Sequence, residues 1–254
     1  MVALFKTIFT PEMESMGFLR KGSVFHKLVN EKILFLVGYR TYSGGREITV
    51  QFDFYPMCDG FAPNPPPMAG LYTILGFTRE ESDQTRKFFM VPTKSEQEYN
   101  KQIKFMLDVC KEEVFPYFDS IYDYDSYFKF FRKFHHVDED IATKKYELMN
   151  SPVNLPLNRF FYVLLAIGKY DLALLAREAR VQLLKGNIED NARRNNIEFH
   201  QERSYRKYLA EVEFYEKIKD MIERNDVDAI NELVRANAEF SLKSYYENFN
   251  VKRN

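Results

Sequence analysis

Apolar side chains recur at Leu4, Phe5, Ile8, Phe9, Met13 and Met16, the spacing of one face of a helix over 3–16 with a break at Thr10-Pro11. Gly17 ends this pattern, and from Phe18 the period shortens to two. Val24, His26 and Leu28 then share one face of a strand, and Ser23, Phe25, Lys27 and Val29 share the other. Asn30-Glu31 turns the chain into a nearly continuous apolar strand over 33–40, and Ser43-Gly44-Gly45 turns it again. In the third strand Ile48, Val50, Phe52 and Phe54 alternate with Thr49, Gln51, Asp53 and Tyr55. One helix against a three-stranded antiparallel sheet is predicted.

The pattern changes at Pro56. Pro56, Pro63, Pro65, Pro66 and Pro67 lie close together, and proline fixes its own torsion and lacks a backbone donor, so the sheet cannot continue there. This stretch reads as a loop, either a stiff connection or an extended segment offered to an aromatic groove. The runs 71–77 and 88–91 suit a short helix or a short strand equally. Beyond Thr93 the helical period returns. Ser95 can cap a helix carrying Tyr99, Ile103, Met106, Leu107, Cys110 and Val114, which Phe115-Pro116 ends or kinks. Half of the residues from Phe115 to Phe134 are aromatic, and Tyr124, Tyr127, Phe128, Phe131 and Phe134 fall on one helical face. Further helices are predicted over 159–167, from Leu172 to a break at Gly186-Asn187, over 197–224, and as a short element with Val227, Ile230 and Val234. The fold class is therefore α+β: a helix-plus-sheet region over 1–94 with its proline loop, and a helical region over 95–254 packed on it through the aromatic segment.

Composition narrows the function classes. Thirty-six Lys plus Arg against thirty-seven Asp plus Glu leave no broad basic field of the kind duplex nucleic acid or an anionic membrane demands. Two cysteines, Cys58 and Cys110, are too few and too far apart to suggest a disulfide framework. Cys110 falls on an apolar helical stripe, which predicts burial; Cys58 borders the proline loop and is expected to be more exposed. The first ten residues lack the form of a secretory signal and no apolar run reaches the length of a membrane span, which points to the cytoplasm.

Candidate chemistry is sparse. His135, His136 and Asp138 carry atoms that ligate zinc or a similar ion, with an open position for water, and would make the chain a metal-dependent hydrolase. Adjacent histidines on a helix, however, diverge by about a third of a turn, and 138–140 suit the acidic start of a helix. Asp119, Asp123 and Asp125 lack the glycine and terminal glutamate of a calcium loop and read as caps. Arg193, Arg194, Arg203, Arg206 and Lys207, with Tyr205 and Tyr208, form a basic-aromatic cluster able to hold RNA or phosphate. Yet nine basic and nine acidic residues alternate over 185–224, the mark of a helix laced with ion pairs. Phosphate-binding glycine loops, nucleophile elbows and cofactor motifs do not occur, so no cofactor is expected.

The run Met16-Gly17-Phe18-Leu19-Arg20-Lys21-Gly22-Ser23-Val24-Phe25-His26-Lys27, followed by two strands, resembles the opening of an uncharacterised bacterial family of small helix-plus-sheet domains. The resemblance covers about residues 1–55. It implies a bacterial origin and leaves open a role like that of toxin-neutralising immunity proteins. The expected function is non-catalytic binding of another protein. The contact would come from Arg20, Lys21 and His26, should the face of His26 look outward, or from Pro65, Pro66 and Pro67.

Overall fold

The structure is a computed structural model that describes residues 2–42, 47–60, 72–73, 95–134 and 157–252. Contacts within the chain gather into two compact units, one of residues 1–57, 61–130 and 240–254, the other of residues 58–60 and 131–239.

In the first unit, α1 (Val2–Ser15) runs unbroken through Pro11. The predicted break is absent because Phe5, Phe9 and Met13 are all fully buried on one face, and that burial outweighs one lost helical hydrogen bond. Among the described residues five antiparallel strands follow in the order β1-β2-β3-β4-β5: Leu19–Lys21, Val24–Val29, Ile33–Tyr42, Glu47–Pro56 and Tyr72–Thr73. The sheet thus has two strands beyond the three expected. β1 is folded back on β2 by Gly22-Ser23, with Gly22 at φ 60°, and β5 lies inside the undecided stretch 71–77.

Register assigns the side chains to faces. Phe35 pairs with Phe54 and Val37 with Phe52. On this face Phe118 stacks on Phe35 (5.1 Å between ring centres) and meets Phe54 (5.8 Å) and Phe18 (5.3 Å), while Phe130 meets Phe54 (5.0 Å). The opposite face carries Val24, Leu34, Leu36 and Tyr55, packed with Met57, Leu242, Tyr245 and Phe249. Both faces are therefore covered, which suits the nearly continuous apolar run of β3.

The aromatic rings arrive on α2 (Glu96–Val109), a π turn over Cys110–Val114, α3 (Phe115–Ser120) and α4 (Tyr124–Phe134). Ser95 caps α2, its Oγ accepting from Glu98 N (3.2 Å). Asp123 caps α4, its Oδ1 accepting from Ser126 N (2.8 Å), as the caps read from sequence require.

The second unit holds α5 (Leu157–Ala166), α6 (Tyr170–Asn195), α7 (Tyr205–Glu223) and most of α8 (Val227–Phe249), whose residues from Phe240 belong to the first unit. The expected break at Gly186 does not occur; a helix tolerates an internal glycine at about 1 kcal/mol, and α6 ends instead at Asn196, φ 53°. α7 begins eight residues later than predicted, after a 3-10 turn at Phe199–Gln201, and α8 is long rather than short. Arg177 is buried against Glu211 in an ion pair, its guanidinium 4.6 Å from the centre of the Phe214 ring and 5.4 Å from that of Phe161. No helix among the described residues is long and apolar enough to cross a membrane.

Candidate functional site

A cleft of about 420 Å³ opens at the β1 end of the sheet, lined by Leu19, His26, Lys27, Leu28, Asn30 and Glu31 from the strands and their turn. Tyr245, Tyr246, Val251 and Lys252, from the end of α8 and the residues after it, complete the lining. Strand periodicity explains the floor: Leu19 pairs with His26, so both project on the face that meets α8. Helical periodicity explains the wall, because Leu242, Tyr245 and Phe249 recur every three to four residues and bury together.

His26, whose part in a recognition surface required an outward face, is only 1% exposed. Its Nδ1 lies 3.0 Å from the Tyr245 hydroxyl, and its ring meets the Phe249 ring at 4.5 Å. Burial, then the charge of Lys21, hold its pKa down at about 4. Tyr245 is pushed up to about 12 by burial and then by Tyr246. Both groups are therefore neutral at pH 7, and a single hydrogen bond links them, in a direction set by the imidazole tautomer.

The turn beside the cleft is strained. Asn30 and Glu31 sit at φ 52° and 53°, a left-handed pair that costs a residue with a Cβ about 1 kcal/mol each. Side chains hold it in place: Asn30 Nδ2 donates to the Tyr122 carbonyl (3.0 Å), and the Tyr246 hydroxyl donates to Glu31 Oε1 (3.0 Å). Lys27 Nζ donates to the Met16 carbonyl (2.9 Å). The Asn250 amide, turned so that its nitrogen donates to the Glu247 carbonyl (3.2 Å), accepts from Lys21 Nζ (2.7 Å). Glu31 is the sole carboxylate among the lining residues, against Lys27 and Lys252.

A polar row lies on the same sheet face. Asp53 is cross-strand from Leu36, itself cross-strand from His26, and Thr49, Gln51, Asp53 and Tyr55 are all buried. Tyr55 donates its hydroxyl to Asp53 Oδ2, while Thr49 Oγ1 and Gln51 Nε2 have no hydrogen-bond partner among the described residues. The alternation of β4 announced these residues as one face, but a polar face ordinarily means water, and here it is covered.

Of the residues singled out from sequence, Arg20 is exposed on β1, Lys21 is partly buried beside it, and His26 lies under the cleft. Pro65, Pro66 and Pro67 lie outside the described residues, as do His135, His136 and Asp138. Among the described residues no group of three or more His, Cys, Asp or Glu could hold a metal ion. In the basic-aromatic cluster, Phe199 meets Tyr205 (5.2 Å) and Tyr208 (5.5 Å), so these rings are engaged with one another, and Arg193 pairs with Asp190 (2.9 Å). Cys110 is buried as expected, and burial pushes its thiol pKa well up; Cys58 is equally buried, contrary to expectation, because the 3-10 turn Met57–Asp59 tucks it in immediately after β4. Sequence reasoning missed Glu31, Tyr245, Tyr246 and Lys252. The aromatic pair at 245–246 on a helical stripe carried a signal of burial but none of its partner more than two hundred residues away.

No family model matches the chain, and no curated protein or solved structure is significantly similar to it.

Proposed function

We propose that this chain is a non-catalytic binding module whose cleft beside β1 and β2 receives an acidic segment of another protein. The observation that carries the reading is the charge of the rim. Lys27 and Lys252 line the cleft, Lys21 projects on its side of the adjoining strand, and the one carboxylate among the described lining residues, Glu31, is engaged by the Tyr246 hydroxyl. Clustered cations on a concave surface attract anionic partners and speed their encounter. The chemistry of the floor favours binding over acid-base catalysis. An imidazole with a pKa of about 4 is a weak proton acceptor at neutral pH, far from the match that an efficient general base needs.

The test is fluorescence anisotropy with labelled acidic, neutral and basic peptides at low and high salt. The acidic peptide binds, salt weakens it, and the reversal Lys252→Glu weakens it by about threefold to fivefold, one exposed ion pair turned repulsive. Equal affinity for all three peptides, or no effect of the reversal, removes the reading.

A further inference from the structure

β1 ends the sheet order, and no strand lies beyond it among the described residues. It joins β2 across the two-residue turn Gly22-Ser23 in the register Leu19 with His26, Arg20 with Phe25 and Lys21 with Val24. In such a hairpin the pair next to the turn exchanges both main-chain hydrogen bonds, and the pairs then alternate. The N–H and C=O of Arg20 therefore point away from β2, along the open edge. Leu19 and Lys21 project on the cleft side of the sheet, and Arg20 projects on the other. Leu19 is 53% exposed, an apolar side chain standing in water next to two cations.

We infer that the acidic segment proposed above binds as a sixth, antiparallel strand on β1, with its central residue exchanging both main-chain hydrogen bonds with Arg20. This rests on the binding reading of the cleft and adds its mode and its sequence requirement. Strand addition supplies affinity through the main chain and specificity through alternating side chains. Read from N to C terminus, the segment carries an acid opposite Lys21, an acid opposite Arg20 on the other face, and an apolar or aromatic residue opposite Leu19 at the mouth of the cleft. A second copy of this chain is the wrong occupant, because pairing β1 with itself antiparallel about Arg20 sets arginine against arginine, and like charges directly opposite destabilise a strand pair. The basic pair also makes the edge selective: charged edge residues deter indiscriminate strand pairing.

The experiment uses the full chain and an eight-residue capped peptide with Glu-Glu-Phe at its centre, read by anisotropy and by isothermal titration. Three probes accompany it: the same peptide with the central Glu N-methylated, a Lys-Lys-Phe peptide, and the protein variants Arg20→Ala and Arg20→Pro. Proline suits an edge strand where the lost N–H faces outward, so Arg20→Pro keeps the sheet, which its far-UV spectrum verifies. N-methylation leaves charge intact and removes one donor, and is independent of any effect on the protein. Expected results are a loss of about tenfold on N-methylation and a similar loss for Arg20→Pro, against about threefold for Arg20→Ala, with no binding of Lys-Lys-Phe. If the acidic peptide binds in a salt-sensitive way but N-methylation and Arg20→Pro change nothing beyond Arg20→Ala, strand addition is overturned while the cleft reading stands. If no acidic peptide binds, both fall.

Discussion

Protonating His26 should unfold this protein by a calculable amount. The imidazole is 1% exposed, hydrogen-bonded to Tyr245 and close to Lys21, and no carboxylate among the described residues is its partner. Its pKa falls from 6.5 in the unfolded chain to about 4 in the native state. The native state therefore binds fewer protons than the unfolded one between those values. Its contribution to stability is complete above pH 6.5, shrinks as pH falls through that window, and stops changing below about 4. The gap corresponds to about 3 kcal/mol, with a slope approaching 1.4 kcal/mol per pH unit in mid-window. Urea unfolding of the native protein and of His26→Phe, at half-unit steps from pH 4 to 7.5, isolates this term, because carboxylates titrate alike in both. The variant begins less stable at pH 7, with the Tyr245 hydroxyl left unpaired, and then loses less stability on acidification. Parallel curves for the two proteins, or an NMR titration placing His26 near 6.5, would refute the reasoning.

Three other substitutions probe the packing. Arg177→Met strands the Glu211 carboxylate in a buried site and should cost about 3–5 kcal/mol, visible as a fall of about 10 °C in the thermal midpoint. Tyr55→Phe removes a hydroxyl from the buried Asp53 carboxyl and should cost about 1–3 kcal/mol by urea unfolding, without disturbing the sheet's far-UV signature. Gly60→Ala combines a positive φ of 70° with a Cβ placed 3.1 Å from Asn237 Oδ1, and should cost about 1–2 kcal/mol by urea unfolding; a neutral result would refute the backbone strain assigned to this position, which remains even if the Asn237 side chain yields.

The α+β order was legible because helix and strand periods are local properties. The paired turn at Asn30-Glu31, the cap at Ser95 and the buried aromatic rings of Phe118, Tyr127, Phe128 and Phe131 follow from residue type and spacing alone. What could not be read is whatever depends on partners distant in sequence. His26 alternates on its strand as any half-exposed residue does, and only the arrival of Tyr245 and Phe249 on that face makes it a core group. The burial of β4's polar face is hidden for the same reason, since its pattern is shared with a solvated face and its burial is a fact of the whole sheet. Helix-breaking signals at Pro11 and Gly186 were overruled by tertiary burial and by the continuity of the flanking helix, each worth more than the local penalty. The candidate site was half visible: Arg20 and Lys21 stood out as a basic pair, but nothing local told which strands the wall contributed by residues 245–252 would meet.

We propose the cleft between β1–β2 and the end of α8 as the place where an acidic partner binds. Heteronuclear NMR of the labelled protein, titrated with the Glu-Glu-Phe peptide, tests it most directly. The account predicts shifts confined to residues 19–31 and 245–252, led by the Arg20 amide and the side-chain signals of His26; saturable shifts confined to the surface of the second unit, leaving those residues unmoved, would contradict it.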